Sequence, residues 1–203
     1  MERLAETREP IHELLRRRWS PYAFSERGVA PEILLSLLEA ARWAPSSFNE
    51  QPWAFIVATK ENLQEFERLL SCLVEGNQEW ARHVPVLTLS VAKLNFDRGG
   101  KPNRHAFHDV GLAAMSLVVE AMAHGIYVHQ MAGILPERAL ELYSIPEGWE
   151  AVAGIAVGYL GDASAASEKS RQRDLAPRSR KPLEQMVFTG QWGKPTRLVT
   201  RDS

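Results

Sequence analysis

Several residue types and patterns are scarce in this chain of 203 residues. It has one cysteine, Cys72, so no disulfide can form within the chain, and we expect a reducing, cytoplasmic location. The 24 basic and 25 acidic side chains nearly balance, which argues against a nucleic-acid-binding protein. No unbroken apolar run approaches the ~20 residues that cross a bilayer, so we expect no membrane partner. The N-terminus is charged and lacks the apolar core of a secretory signal.

The motifs of several common enzyme classes are also missing. There is no G-x-G-x-x-G dinucleotide turn, no G-x-x-x-x-G-K-[ST] phosphate loop, no H-E-x-x-H zinc helix and no G-x-S-x-G elbow. Cys72 lies in an apolar helical context, so we interpret it as a buried, inert thiol. His105 and His108 are close in sequence, but no second pair or neighbouring cysteine completes a ligand set, so we expect no metal.

Hydrophobic spacing predicts an α+β fold and a single domain over residues 1–203. Helices are expected at 9–18, 31–43, 61–74, 105–124 and 136–143, and strands at 53–59, 85–93, 126–131 and 151–161. Beyond these elements the chain becomes polar and rich in arginine. Residues 162–203 are therefore predicted to form an extended C-terminal arm, which either wraps a second subunit or is a frayed terminus.

Two polar stretches stand out as candidate binding segments. Arg16–Phe24, RRRWSPYAF, places three arginines before a Ser-Pro bend. Guanidinium groups beside a hydroxyl suit a phosphate, although a solvated basic helix end would show the same pattern. Ala44–Trp53, APSSFNEQPW, places small polar side chains and backbone amides between a helix and a strand. Such a loop can lie along the edge of a planar heterocycle, or it is a polar turn with a Pro-Trp anchor.

In this order and spacing, the two stretches resemble the nitroreductase family of FMN-dependent oxidoreductases. The resemblance extends from about residue 12 to 185, through GNQEW around Asn77, HQMAGI at 129–134, GYLGD at 158–162 and RSR at 178–180. It implies an α+β fold in which a mostly antiparallel central sheet is flanked by helices. It also implies a homodimer with two FMN sites at the subunit interface, and a C-terminal arm that crosses to the other subunit.

The resemblance implies three groups of cofactor-binding residues. The first group, in which the arginines and the serine would hold the FMN phosphate, comprises Arg18, Trp19, Ser20, Tyr22, Arg178 and Arg180. The second group would line the flavin from the second subunit and comprises Ser46, Ser47 and Asn49. The third group would meet the edge and underside of the flavin ring and comprises Asn77, Gln130, Met131, Ala132 and Gly133. No side chain is assigned a catalytic role, because the cofactor carries the chemistry.

Tyr22 and Trp80 depart from the family pattern, since many members carry a basic residue at each of these positions. A cation beside the N1–C2 edge of the flavin stabilises the anionic reduced cofactor. Its loss is expected to make reduction harder, unless Arg82 or Arg104 substitutes. The sequence thus predicts an apolar, aromatic pocket.

The function that the resemblance implies is that of an FMN-dependent NAD(P)H oxidoreductase. NADPH or NADH would pass a hydride to flavin N5 and leave, and a small electron-poor acceptor would then take the electrons in a ping-pong cycle. The acceptor would be a nitroaromatic, a quinone or a conjugated carbonyl. Two alternatives stay open: a relative with enal-reductase or dehalogenase activity, and an FMN-binding storage or sensing protein with little turnover.

Overall fold

A four-stranded antiparallel sheet forms the centre of the protein, in a computed structural model that describes residues 3–200. Its strands are β1 (Trp53–Thr59), β2 (Val86–Lys93), β3 (Tyr127–Met131) and β4 (Trp149–Gly158). They lie in the order β1-β2-β4-β3, so β2 and β4 are central. The β2–β4 ladder extends from Val86 opposite Val157 to Lys93 opposite Trp149, with a register shift between Ser90 and Val91.

Helices surround this sheet within the described residues. The α-helices are α1 (Glu13–Arg17), α2 (Pro31–Arg42), α3 (Leu63–Leu70), α4 (Glu75–Ala81), α5 (Ala106–Ala123), α6 (Pro136–Tyr143) and α7 (Glu168–Leu175). Short 3₁₀ helices occur at Ser47–Asn49, Ala163–Ala165 and Leu183–Gln185. Proline at the first turn of α2 and α6 fixes where each begins, because its missing N–H has no intrahelical partner there.

The two faces of the sheet are covered by different helices. Side chains alternate between the faces of a strand, so Leu87 and Leu89 of β2 pack with Phe66 of α3, while Val86 packs with Leu117 of α5. Helices α2 and α5 lie together on the Val86 face. The expected α+β fold with an antiparallel sheet is therefore confirmed.

Helix α5 is long and apolar enough to cross a membrane by length and composition, but half of it is buried inside the fold. Its buried residues include Val110, Ala114 and Leu117, which belong to the cores beside the sheet. A core helix of a globular domain meets the same criteria of length and apolarity. We therefore interpret α5 as a core helix.

Several predicted boundaries differ from the observed ones. The single helix expected at 61–74 is wrong, because the chain leaves α3 after Leu70 and Leu73 forms a bridge with Ile134 before α4 begins. Helix α7 lies in the stretch predicted as an extended arm, which over residues 162–200 packs against the N-terminal segment of the same chain. The remaining arm residues, 201–203, and residues 1–2 lie outside the described part of the chain.

Candidate functional site

The arginines predicted to bind phosphate surround one cleft of about 250 Å³. Arg18, Arg178 and Arg180 all line it, together with Glu6. Burial and the charge of Arg180 lower the pKa of Arg18. Burial, and then the charges of Arg18, Arg180 and Arg3, lower the pKa of Arg178. These guanidinium groups therefore repel one another, and an anion in the cleft would stabilise all of them.

The three arginines differ in what they bind. Nη1 of Arg18 lies 3.4 Å from Oγ of Ser20, so these two predicted phosphate ligands are neighbours. Within residues 3–200, the side chain of Arg180 donates a hydrogen bond only to the adjacent carbonyl of Ser179, at 2.7 Å. Arg178 donates instead to backbone carbonyls of the N-terminal segment, including that of Arg18 at 2.6 Å. Arg18 and Arg180 are thus the better placed for an anion.

Tyr22 and Trp80 belong to an aromatic cluster with His129 and Phe24. The ring centroids of Tyr22 lie 5.2 Å from Trp80 and 4.7 Å from His129, both edge to face. Trp80 also lies 4.6 Å from His129 and stacks on Phe24 at 6.1 Å. Trp80 is 6% exposed, so its indole is a core element and Tyr22 is the ring nearer the surface. The predicted aromatic environment is present.

Arg173 supplies a cation beside Tyr22. Its guanidinium carbon lies 5.1 Å from the centroid of the Tyr22 ring, and Nη1 lies 3.3 Å from the Tyr22 hydroxyl. Arg82, which the sequence offered as a substitute cation, donates instead to the Gln78 carbonyl of its own helix at 3.2 Å. The role of Arg173 could not be predicted, because this residue lies 151 positions from Tyr22 in the sequence and on a helix that was not predicted.

His129 joins β3 to the Arg16–Phe24 segment. Its Nδ1 lies 2.7 Å from the carbonyl oxygen of Pro21, so Nδ1 carries the proton and donates it. Burial lowers the pKa of His129, while the bond to Pro21 and the charge of Asp174 oppose this shift. The neutral imidazole is therefore favoured. His129 was part of the HQMAGI motif but was not predicted as a site residue.

Asn77 and Gly133, two members of the predicted ring-binding group, contact each other. Nδ2 of Asn77 donates to the Gly133 carbonyl at 2.9 Å, and the backbone N–H of Val74 donates to the same oxygen at 3.1 Å. A Cβ atom on residue 133 would lie 2.6 Å from Asn77 Nδ2 and 2.8 Å from Val74 Cγ2. Any larger residue at position 133 would force the side chains of Asn77 and Val74 to move, so glycine suits this close approach between α4 and the chain that follows β3.

The remaining predicted residues divide between the core and the surface. Trp19 is 7% exposed and meets Tyr127 edge to face at 6.0 Å, and Met131 is 3% exposed. Their side chains therefore support the site from the core. Gln130 and Ala132 are exposed at the end of β3.

The loop of Ser46, Ser47 and Asn49 is anchored to α5. The backbone N–H of Ser47 donates to Oδ2 of buried Asp109 at 3.0 Å, and Ser46 Oγ accepts from the N–H of Gln51 at 2.9 Å. Asn49 and Gln51 have φ of 57° and 51°, in the left-handed region that non-glycine residues rarely adopt. Strained loops of this kind recur at binding sites. Within residues 3–200 of this one chain, the loop forms no hydrogen bond, ion pair or ring contact with Arg18, Arg178 or Arg180.

Similarity to known proteins identifies the family of the chain. The family model described as Nitroreductase family matches residues 15–159, more than half of the chain. An uncharacterised 15.4 kDa protein of Mycolicibacterium smegmatis is 37% identical over 132 residues, covering 65% of this chain and 87% of the relative. An FMN reductase [NAD(P)H] of Bacillus subtilis is 25% identical over 168 residues, covering 74% of this chain and 66% of the relative.

Solved structures show the same fold. A structure described as an oxidoreductase containing FMN has a TM-score of 0.86 and 35% identity, with coverage of 92% of this chain and 94% of that one. A nitroreductase family protein from Clostridium difficile has a TM-score of 0.68 and 22% identity, covering 88% and 97% of the two chains. Together with the convergent arginines and the Asn77–Gly133 contact, these matches establish that the chain belongs to the nitroreductase family.

Proposed function

We propose that the protein is an FMN-dependent NAD(P)H oxidoreductase that reduces small electron-poor acceptors, namely nitroaromatics, quinones or conjugated carbonyls. The observation that carries this proposal is the cleft that Arg18, Arg178 and Arg180 line with mutually unfavourable charges, with the Ser20 hydroxyl 3.4 Å from Nη1 of Arg18. A phosphate monoester would neutralise them through charge-assisted hydrogen bonds. The names of the FMN-containing structure and of the Bacillus subtilis FMN reductase support the same cofactor and electron donor.

The residues present fit FMN at both ends of the molecule. The cationic cleft suits its phosphate. At the other end, Gly133 has no side chain, so its backbone would face the flavin ring. Gln130 and Ala132, which are exposed beside Gly133, would contact the ring, and Met131 would support it from the core. When bound, FMN accepts a hydride from NAD(P)H and passes electrons to the acceptor.

The chain's own residues would bind and orient this cofactor without a dedicated catalytic side chain. Arg18, Ser20 and Arg180 would hold the phosphate, and Tyr22, with Arg173 against its ring, would border the flavin. Trp19 would support this segment from the core. The cation of Arg173 compensates in part for the basic residue that Tyr22 replaces, so this contact favours an enzyme over a storage or sensing protein.

We propose a homodimer in which Ser46, Ser47 and Asn49 of one subunit complete the site of the other. Helix α5 supports this, because Leu112, Met115 and Val119 line an open apolar groove of about 360 Å³ with Pro45. Further large apolar side chains are exposed on the single chain: Trp43, Phe48, Phe107, Met186, Trp192 and Leu198. A second subunit would cover such surface, and the crossing of the arm from about residue 162 to that subunit stays a prediction.

The NAD(P)H requirement and the single cysteine also favour the cytoplasm as the location, and this stays a proposal. We regard residues 1–203 as one domain with an arm from about residue 162, since the described part of that arm contacts the N-terminal segment rather than forming a core of its own.

The visible spectrum of the purified protein tests the proposed function. We expect a flavin spectrum that bleaches on anaerobic addition of NADPH or NADH and recovers on addition of a quinone or a nitroaromatic. An Arg18→Ala/Arg180→Ala double variant should be purified with much less flavin. Bound FMN that neither nicotinamide reduces would support the storage or sensing alternative, and a wild-type protein with no affinity for FMN would refute the cofactor assignment.

A further inference from the structure

Asp174 of α7 binds the backbone of the segment that holds the predicted phosphate ligands. Its carboxylate accepts the N–H of Tyr22 at 2.9 Å and 3.1 Å, through its two oxygens, and the N–H of Ala23 at 3.0 Å. Asp174 is 4% exposed, and it lies 152 positions from Tyr22 in sequence. A buried carboxylate with these partners fixes the course of the chain two residues after Ser20.

Arg178 binds the same segment on the other side of Ser20. Its Nη2 donates to the Arg18 carbonyl at 2.6 Å, and its Nη1 donates to the Arg16 carbonyl at 3.3 Å and to the Arg3 carbonyl. Both terminal nitrogens of the guanidinium are therefore engaged with backbone oxygens. Arg18 and Arg180, in contrast, are not held by several backbone carbonyls within residues 3–200. Arg18 contacts the Ser20 hydroxyl, and Arg180 donates to the adjacent Ser179 carbonyl.

Helix α7 is attached to the domain by polar contacts rather than by an apolar face. Its buried residues are Ser170 and Asp174, whereas Leu175 at its end is exposed. Apolar burial tolerates small shifts, but charge-assisted hydrogen bonds to defined backbone atoms fix position and direction. The contact of α7 with residues 22–23 therefore fixes the position of that backbone and buries little apolar surface.

We propose that Asp174 and Arg178 form a latch that positions residues 16–23 for phosphate binding, and that Arg178 is a positioning residue rather than a phosphate ligand. This inference rests on the proposed function. Asp174 holds the chain after Ser20 and Arg178 holds it before, so the latch sets the distance between the Arg18 side chain, the Ser20 hydroxyl and Arg180 across the cleft.

Comparing FMN with riboflavin, which lacks the phosphate, tests the latch in the full-length protein. Dissociation constants are measured from the quenching of flavin fluorescence, with near-UV circular dichroism as a check of folding. Asp174→Ala should weaken FMN binding by about tenfold or more and riboflavin binding by less than about threefold, because only the phosphate end is displaced. Asp174→Asn, which keeps one acceptor oxygen, should recover part of the loss. The control Glu168→Gln removes an exposed carboxylate from the same helix and should change neither constant.

Arg178 and Arg180 should differ in a second assay, which needs no flavin. Trypsin cleavage after Arg16, Arg17 or Arg18, followed by mass spectrometry of the FMN-free protein, reports how firmly that segment is held. Asp174→Ala and Arg178→Ala should both accelerate this cleavage, whereas Arg180→Ala should weaken FMN binding without accelerating it.

Equal weakening of FMN and riboflavin binding in Asp174→Ala would overturn the latch, because a general loss of structure predicts that result. Unchanged cleavage in both Asp174→Ala and Arg178→Ala would also overturn it. A wild-type protein that binds neither flavin would overturn the proposed function instead, and the cleavage rates would then decide alone whether the latch holds residues 16–23.

Discussion

The side-chain amide of Asn77 donates a hydrogen bond to the carbonyl oxygen of Gly133, with 2.9 Å between the two atoms. This bond joins α4 to the chain that follows β3, two elements that the sequence separates by 56 positions. Glycine suits position 133 because a Cβ atom there would lie 2.6 Å from Nδ2 of Asn77, so the amide would have to move. Both residues belong to the predicted ring-binding group, so their contact fixes one end of the candidate site.

Gly133→Ala should destabilise the protein and weaken FMN binding. Its methyl group would lie 2.6 Å from Asn77 Nδ2 and 2.8 Å from Val74 Cγ2, so both side chains must move. Overpacking of this kind costs about 1–3 kcal/mol, which urea unfolding would measure. Gly76→Ala is a matched control in α4, because no atom lies within 4 Å of its added Cβ. If both variants unfold alike, the close approach of Asn77 to Gly133 is not what constrains residue 133.

Asp109→Ala should loosen the Ser46–Asn49 loop. The buried carboxylate accepts the Ser47 N–H, and its removal leaves that donor without this partner in a loop that already contains left-handed residues. We expect a loss of about 1–3 kcal/mol in the free energy of unfolding. His108→Ala, which removes an exposed ring from the other carboxylate oxygen, should have a much smaller effect. Similar values for the two variants would show that the Ser47 bond contributes little.

Tyr22→Lys should make bound FMN easier to reduce. The variant adds a cation where the flavin ring is proposed to bind, and a positive charge there would stabilise the anionic reduced cofactor. The midpoint potential, measured by anaerobic titration with a redox dye, should become more positive. Tyr22→Phe keeps the ring and removes only the hydroxyl near Arg173, so it controls for packing. An unchanged or more negative potential in Tyr22→Lys would contradict the electrostatic argument.

The stability of the protein should depend on pH through His129. Burial lowers the pKa of His129 in the folded protein, so in mildly acidic solution the unfolded chain binds the proton more readily. The free energy of unfolding should therefore decrease as the pH falls below about 6.5, until the folded histidine also becomes protonated. Urea unfolding across this range measures it. His129→Gln should flatten this part of the profile, whereas His83→Gln, at an exposed position, should leave it unchanged.

Elements with a strong local signal could be predicted from the sequence. The bounds of β1 at 53–59 and of α6 at 136–143 are confirmed, because an apolar run after Pro52 and an apolar pattern after Pro136 mark them. The break after Leu70 could not be predicted, since it depends on the bridge between Leu73 and Ile134. Helix α7 was missed because its buried side chains are a serine and an aspartate, which give no apolar period.

The candidate site divides in the same way. The family resemblance implied that Arg18, Arg178 and Arg180 hold the FMN phosphate and that Asn77 and Gly133 meet the flavin ring. The three arginines line one cleft and Asn77 contacts Gly133, while their binding of FMN stays a prediction. The contacts of Asp174 and Arg173 with Tyr22 could not be predicted, because each joins residues about 150 positions apart. Sequence spacing predicts contacts only between residues close in the chain, whereas these contacts form only once the tertiary fold brings α7 to Tyr22.

The open apolar groove on α5 would link the cellular level of this protein to its dimerisation. In a single chain Met115 and Val119 border solvent, and Phe48 and Trp43 stand free of the core. A homodimer that closes over these side chains would gain apparent stability with rising protomer concentration. Newly made chains at low abundance would thus be the most vulnerable to proteases and to aggregation. Steady-state levels should accordingly rise more steeply than the rate of synthesis.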